Sequence, residues 1–244
     1  MKSTDVATPT TELLIARHGE AHCNRAGIIG GLNGCRGLTD RGRRQVERLA
    51  HRLSEQHHER PIHALYATPL RRSQESAAII GAYLGLDAEV VTDLAEQHHG
   101  SGDGRTWRDV VSEFGDIPAL FADRPLARGG ETWAQYLERS STAVGQLLAL
   151  HSGERILIVG HGETVETAFH YFLDLPPTSR STVALAAHYA SVTVWEQQPL
   201  SWTRPTAGLR WTLMAQNDTR HLVVDDHKRR SPDVRAGRQA HDRR

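Results

Sequence analysis

The sequence predicts an α/β protein: a three-layer sandwich with a mixed, mainly parallel central sheet and helices on both faces. Three observations carry this. Residues 13–16 and 156–159 are runs of Leu, Ile, Val and Ala without polar alternation, as in strands buried on both faces. Strand-like runs alternate with helix-period segments through most of the chain, the signature of strand–helix–strand units. The last third then turns to short alternating segments, which suit antiparallel strands.

Residues 1–11 are polar and expected to be loose, and the first strand covers 12–17. A glycine-rich loop follows, with Gly27, Gly30, Gly31, Gly34 and Gly37. Thr39 suits an N-cap for a helix that puts Val46, Leu49, Ala50 and Leu53 on one face. A second strand is expected at 62–67, and Pro69 opens a helix running through Ile79, Ile80 and Leu84. A third strand is read at 89–94. Residues 97–131 carry Gly, Pro and Asp without a period and read as a loop-rich insertion with a short helix near 106–114. Glu131-Thr132 starts a longer helix, with Trp133, Tyr136, Leu137, Ser140, Val144, Leu147 and Leu148 at helical spacing. A fourth strand at 155–159 and a helix from 163 to about 173 follow. Segments 182–188 and 191–196 alternate, and a last strand is expected at 209–215. The single domain is thus read as 1–224. Residues 225–244 offer almost nothing apolar to bury and read as a basic, disordered tail.

Composition narrows the function. The 244 residues carry 29 Lys and Arg against 29 Asp and Glu, so net charge makes no case for nucleic acid or a membrane surface. No apolar run approaches the roughly 20 residues that span a bilayer, and the first residues lack the apolar centre of a signal peptide. The expected location is cytoplasmic. Two cysteines do not make a disulfide framework. Both Cys23 and Cys35 fall in the loop after the first histidine, where a reactive thiol and a packed one are alternative readings.

Four short segments carry chemistry. Arg17-His18-Gly19-Glu20 ends the first strand, and ligands bind at the carboxyl ends of strands in open α/β sheets. An imidazole can attack phosphorus and leave as phosphohistidine. The neighbouring guanidinium offers a planar fork to phosphate oxygens. Taken alone, a structural strand-end histidine reads equally well. Residues 68–77, Thr-Pro-Leu-Arg-Arg-Ser-Gln-Glu-Ser-Ala, follow the second strand and reach the same edge. By themselves they would be an ordinary first helical turn. Glu96, in Glu96-Gln97-His98-His99-Gly100, could protonate a leaving oxygen and then take a proton from water, but alone reads as a surface carboxylate. His161-Gly162 places a second imidazole at the end of the fourth strand.

In this order the four segments resemble the histidine phosphatase superfamily, which includes cofactor-dependent phosphoglycerate mutases, fructose-2,6-bisphosphatases and broad-specificity phosphatases. Residues 68–77 resemble the family's S-P-L-x-R-A-x-Q-T-A and so place its second arginine on Arg72 rather than Arg71. The Glu96 segment is similar to the mutases' E-R-H-Y-G. Gly129-Gly130-Glu131-Thr132 resembles the G-G-E-S helix start, and Asn217-Asp218 with His221-Leu222 resembles the closing segment. The resemblance runs from about 12 to 224. It implies a phosphoglycerate mutase-like fold and hydrolysis of a small-molecule phosphomonoester. It also implies His18 as nucleophile, Arg17, Arg72 and His161 as holders of the phosphoryl oxygens, and Glu96 as general acid, then base. Asn24, Gly30 and Gly162 are expected to line the phosphate pocket. No metal or cofactor is called for, since arginines and imidazole take the cation's place.

Three rivals are weighed. A metal hydrolase would draw on His18 and His22, but this is not the H-E-x-x-H pattern, and the segment leaves a strand through a glycine. A mutase must return its phosphoryl group and so needs basic residues gripping a second acidic group. Here the mutases' tyrosine position is His99 and their lysine position, eleven residues after the acid, is Trp107. A non-catalytic phosphate-binding module would have lost the nucleophile or the acid, and both are present. The ester itself is open among sugar phosphates, nucleotides and intermediates of specialised metabolism. Trp107, Phe114 and Phe121 are candidate apolar walls, and a homodimer through the late strand hairpin is left open.

Overall fold

The computed structural model describes residues 9–114, 121–179 and 183–225. The expected tail lies outside them from residue 226 on, as do parts of the insertion and of the segment before the late strands. Six strands form one sheet in the order β3-β2-β4-β1-β5-β6: β1 (Glu12–Arg17), β2 (Ala64–Ala67), β3 (Ala88–Val90), β4 (Arg155–Gly160), β5 (Val192–Pro199) and β6 (Leu209–Asp218). The first four are mutually parallel, and β5 and β6 add to the β1 side antiparallel. The sheet is therefore mixed and mainly parallel, as expected.

Alternate residues of the central strands feed two cores, one on each face. Leu14, Ala16, Leu157 and Val159 meet helices α2 (Asp40–Glu59) and α3 (Arg71–Leu84) through Val46, Leu49, Leu53 and Ile80. Leu13, Ile15, Ile156 and Ile158 meet α5 (Trp133–Leu150) and α6 (Gly162–Phe172) through Val144, Leu147 and Val165. Burial on both sides is why these strands carry no polar alternation. Thr39 caps α2 by accepting the Gly42 N–H at 3.0 Å. Thr132 and Gln135 form a reciprocal capping box on α5, at 3.1 and 2.9 Å. A small cluster of Ile29, Val110, Leu126 and Ala127 closes the insertion, which carries α4 (Trp107–Phe114).

The structure departs from the expected elements in three places. A five-residue helix, α1 (His22–Ala26), opens the glycine-rich loop and stops at Gly27, whose φ of 63° is left-handed. Five residues are too few to show a period. β3 is only three residues long, pairs with β2 alone at the sheet edge and passes into a 3-10 turn (Thr92–Leu94). Residues 183–188 are not a strand. Both sides of β1 are already paired, so this segment crosses the sheet's carboxyl edge instead, giving its carbonyls to side chains. Among the described residues no helix is long and apolar enough to cross a membrane.

Candidate active site

The β1–β4 register sets Arg17 against Gly160, so the residues that follow, His18 and His161, leave the sheet side by side. The His18 N–H donates to the Gly160 carbonyl at 2.9 Å, and the two imidazoles meet edge to face, centroids 5.2 Å apart. Both are buried. β2 ends one strand over, where the Thr68 hydroxyl lies 2.7 Å from His161 Nε2. The loop after His18 is pressed against α2: a Cβ on Gly19 would stand 2.4 Å from the Gly42 carbonyl oxygen, so only glycine fits. Gly19 N–H in turn donates to Ser76 of α3 at 3.3 Å, tying the histidine loop to the helix that carries the arginine.

Of the two candidate arginines, Arg71 is exposed and pairs with Glu75 at 2.7 Å, whereas Arg72 is 1% exposed. The Arg72 guanidinium makes three contacts. Nε donates to His18 Nε2 at 3.0 Å, Nη1 to the Gly30 carbonyl, and Nη2 to Glu96. Burial disfavours the charge on Arg72, but Glu96 and the two neighbouring cysteine sulfurs more than offset this and hold it protonated. Glu96 also lies 3.6 Å from His161 Nδ1. Arg17 reaches inward from the strand end, donates to the Ala187 carbonyl, and stacks 4.4 Å from the centre of the Tyr189 ring. Arg17, His18, Arg72, Glu96 and His161 thus converge on one point.

The electrostatics follow from burial and crowding by cations. Burial, then Arg72 and Arg17, holds His18 well below the usual imidazole range. Burial, then Arg72 and His18, does the same to His161. His18 Nδ1 lies 2.7 Å from the Gly19 carbonyl, which only accepts, so the ring proton sits on Nδ1. The Nε2 lone pair therefore faces Arg72. Arg17 Nε and His161 Nδ1 are buried without a hydrogen-bond partner in the protein. These two positions and the Arg72 guanidinium form a cradle for an anion carrying several oxygens.

The expected lining residues differ in placement. Gly30 touches the site through its carbonyl, and Gly162 begins α6 directly after His161. Asn24 instead spends its side-chain oxygen on the Ala21 N–H at 3.1 Å, holding α1 in place. Of the candidate walls, Trp107 packs edge to face on His99 at 5.3 Å, and Phe121 carries Arg124 at 3.8 Å; the Phe114 side chain lies outside the described part. Among the described residues no group of three or more His, Cys, Asp or Glu side chains is arranged to hold a metal.

Sequence reasoning missed three residues here: Thr68, Tyr189 and Glu163. Thr68 was visible as a strand end. Tyr189 has no sequence signal. It is set by the chain's closing segment, where Asn217 accepts the His188 N–H at 2.7 Å and His221 bonds the Ala190 carbonyl at 2.9 Å. Glu163 follows His161-Gly162. Burial of its carboxyl, then the nearness of Glu96, pushes it up to about 8.

A mainly parallel sheet whose carboxyl edge gathers two neutral imidazoles, two guanidiniums and a carboxyl group defines an α/β protein built to handle phosphoryl groups. The chain belongs to the histidine phosphatase superfamily, branch 1, whose family model matches residues 13–206. It is 31% identical over 169 residues to a metal-independent phosphoserine phosphatase of Arabidopsis thaliana, covering 67% of this chain and 69% of that protein. It is 30% identical over 217 residues to phosphoglycerate mutase-like protein 4 of the same plant, covering 86% of each. Among solved structures, YhfR of Bacillus stearothermophilus superposes with a TM-score of 0.70 at 26% identity, over 87% of this chain and 99% of that one.

Proposed function

We propose that the protein hydrolyses a small-molecule phosphomonoester in two displacements, through a phosphohistidine on His18 Nε2. The observation that carries this is the His18 ring: its Nδ1 proton is held by Gly19 and its neutral Nε2 faces the cluster of cations. A neutral imidazole has the lone pair that attack on phosphorus requires. Arg17, Arg72 and His161 surround the oxygens of the transferring group, and in such reactions positioning and charge stabilisation supply most of the rate. Glu96 stands beside them, against Arg72 and 3.6 Å from His161 Nδ1. Displaced from Arg72 as the substrate binds, Glu96 takes up a proton from solvent, gives it to the leaving alkoxide and, as the carboxylate again, takes one from the water that attacks phosphohistidine. Arg72 is engaged by Glu96, so the arriving phosphoryl oxygens exchange with that carboxylate for the Nη2 donor.

The relative named as a phosphoserine phosphatase supports hydrolysis of a small ester. His99 and Trp107, where the resemblance places mutase tyrosine and lysine, pack on each other and supply no second anion clamp. Both cysteines are free thiols, in keeping with action in the cytoplasm. The test is phosphate release over a panel of small esters with chelator present, with 3-phosphoglycerate isomerisation followed in parallel. An alkaline denaturing quench, in which a P–N bond survives, of an ester labelled at phosphorus should leave label on the wild type and none on His18→Ala. Release by His18→Ala at the wild-type rate would overturn the mechanism, and isomerisation without release would make the protein a mutase.

A further inference from the structure

The mechanism above leaves one pair of nucleophilic groups unused. Cys23, in α1, is buried, and Cys35, in the loop that follows, is partly exposed. Their sulfurs flank Arg72 and stand within hydrogen-bonding reach of each other. They form the back of the Arg72 clamp. Cys35 Sγ accepts the Arg72 backbone N–H at 3.4 Å. Cys23 Sγ packs on Gly30 so closely that a Cβ there would lie 2.5 Å from it and 3.1 Å from Arg72 Nη1. Gly30 is also the residue whose carbonyl holds that Nη1. Two sulfurs in mutual contact, each against a different support of one catalytic guanidinium, are an arrangement that packing alone does not require.

We propose that Cys23 and Cys35 form a dithiol that a hydroperoxide oxidises to a disulfide, and that this disulfide shuts down the phosphoryl site. The hydrogen bond from Cys23, aided by the charge of Arg72 and the N–H groups of Gly37 and Arg72, outweighs burial and brings Cys35 down to about 5. The same bond, together with burial, pushes Cys23 up. The proton therefore stays on Cys23, and Cys35 carries the reactive thiolate. In the first step the Cys35 sulfur attacks an oxygen of the hydroperoxide. The O–O bond breaks, Cys35 becomes a sulfenic acid, and the other oxygen leaves as water or an alcohol after taking a proton. In the second, the Cys23 sulfur attacks the Cys35 sulfur. The S–S bond forms, the S–O bond breaks, and the hydroxide leaves as water with the Cys23 proton. Two electrons pass from the sulfurs to the peroxide.

To bond, the sulfurs must close from hydrogen-bond contact to covalent contact, which draws Cys35 off the Arg72 N–H and Cys23 off Gly30. Both supports of Arg72 shift together. The loss of turnover rests on the reading of the site given above, while formation of the disulfide does not.

The experiment oxidises the reduced full chain with hydrogen peroxide, blocks remaining thiols with N-ethylmaleimide and digests with trypsin without reductant. Cleavage after Arg17, Arg25 and Arg36 places Cys23 in peptide 18–25 and Cys35 in peptide 26–36. The expected product is these two peptides joined, appearing in step with an at least tenfold fall in phosphate release, both reversed by dithiothreitol. Cys23→Ser and Cys35→Ser should keep their turnover through the same treatment. Inorganic phosphate should raise the melting temperature of the reduced protein and not of the oxidised one, a readout that holds whatever ester the enzyme prefers. Absence of the joined peptides overturns the proposal. So does a disulfide that leaves both turnover and phosphate binding intact, or equal inactivation of the serine variants.

Discussion

Replacing Arg72 by lysine keeps the charge and removes the fork, which separates a positioned guanidinium from a merely positive environment. The Arg72 side chain is 2% exposed, and its Nε, Nη1 and Nη2 each point at a different partner: His18, Gly30 and Glu96. An ammonium at the end of a flexible stem can meet one of these directions at a time. In the transition state of the proposed mechanism the fork would supply two charge-assisted hydrogen bonds to the phosphoryl group. Such bonds contribute about 1.5–3 kcal/mol each, and lysine recovers part of one, so the net loss is about 2–4 kcal/mol. At about 1.4 kcal/mol per decade, kcat/KM for a small phosphate ester should fall roughly 30- to 1000-fold. Arg71→Lys is the internal control. Arg71 is one residue away, 65% exposed and paired only with Glu75 across one helical turn. An exposed pair of that kind contributes about 0.3–0.5 kcal/mol, so turnover should stay within about threefold of wild type. Both variants should melt with the wild-type circular dichroism spectrum. A kcat/KM for Arg72→Lys within fivefold of wild type, or equal damage from Arg71→Lys, would refute the assignment of the clamp to Arg72.

Glu96→Gln should lose far more rate on alkyl phosphates than on nitrophenyl phosphate, whose leaving group needs no proton; equal losses on the two would remove Glu96 from the acid's role. Stability should also report the buried imidazoles. His18 and His161 titrate well below 6.5 when folded and near 6.5 when unfolded. The unfolded chain therefore binds more protons as pH falls from 6.5 toward the folded values, and each histidine costs up to about 1.4 kcal/mol per pH unit in that window. Burial holds His99 and His221 down as well, so urea unfolding between pH 7 and 5 should show the summed slope of four imidazoles, and His18→Gln should be shallower by roughly a quarter; an unchanged slope would mean that His18 is protonated in the native state.

Much of the site was legible because strands buried on both faces end where the sheet binds ligands. The runs before His18 and His161 could be placed as central from their lack of polar alternation, and the parallel register then brings the two rings together. The choice between Arg71 and Arg72 was legible only through the resemblance. Helical spacing puts neighbouring residues about 100° apart, so one must leave the site, but spacing does not say which. What the sequence hid depends on closure of the chain. Residues 182–188 alternate as a strand would, yet their described part bridges the site, because Asn217 and His221, about 30 residues on, fasten the chain beside them. Tyr189 reaches Arg17 only through that closure. The contact between Cys23 and Cys35 likewise depends on how the glycine loop folds back after α1, which no local period encodes.

The proton inventory of the site gives a further test. Glu96 is bound to Arg72, so it needs no second charge nearby, and Glu163 supplies a carboxyl whose burial and whose nearness to Glu96 push it up to about 8. Near pH 7 Glu163 is therefore neutral, and the cavity that receives a phosphate dianion holds one carboxylate rather than two. Above pH 8 Glu163 ionises. A second negative charge then opposes the dianion and competes for Arg17, so kcat/KM should fall through an alkaline limb near that value. Glu163→Gln keeps the shape and the neutral state of the side chain. It should match the wild type near pH 7 and lack the limb, holding its rate past the pH at which the wild type declines. An alkaline limb of the same position and depth in both proteins would show that Glu163 does not set the charge of the site, and would leave the decline to another group.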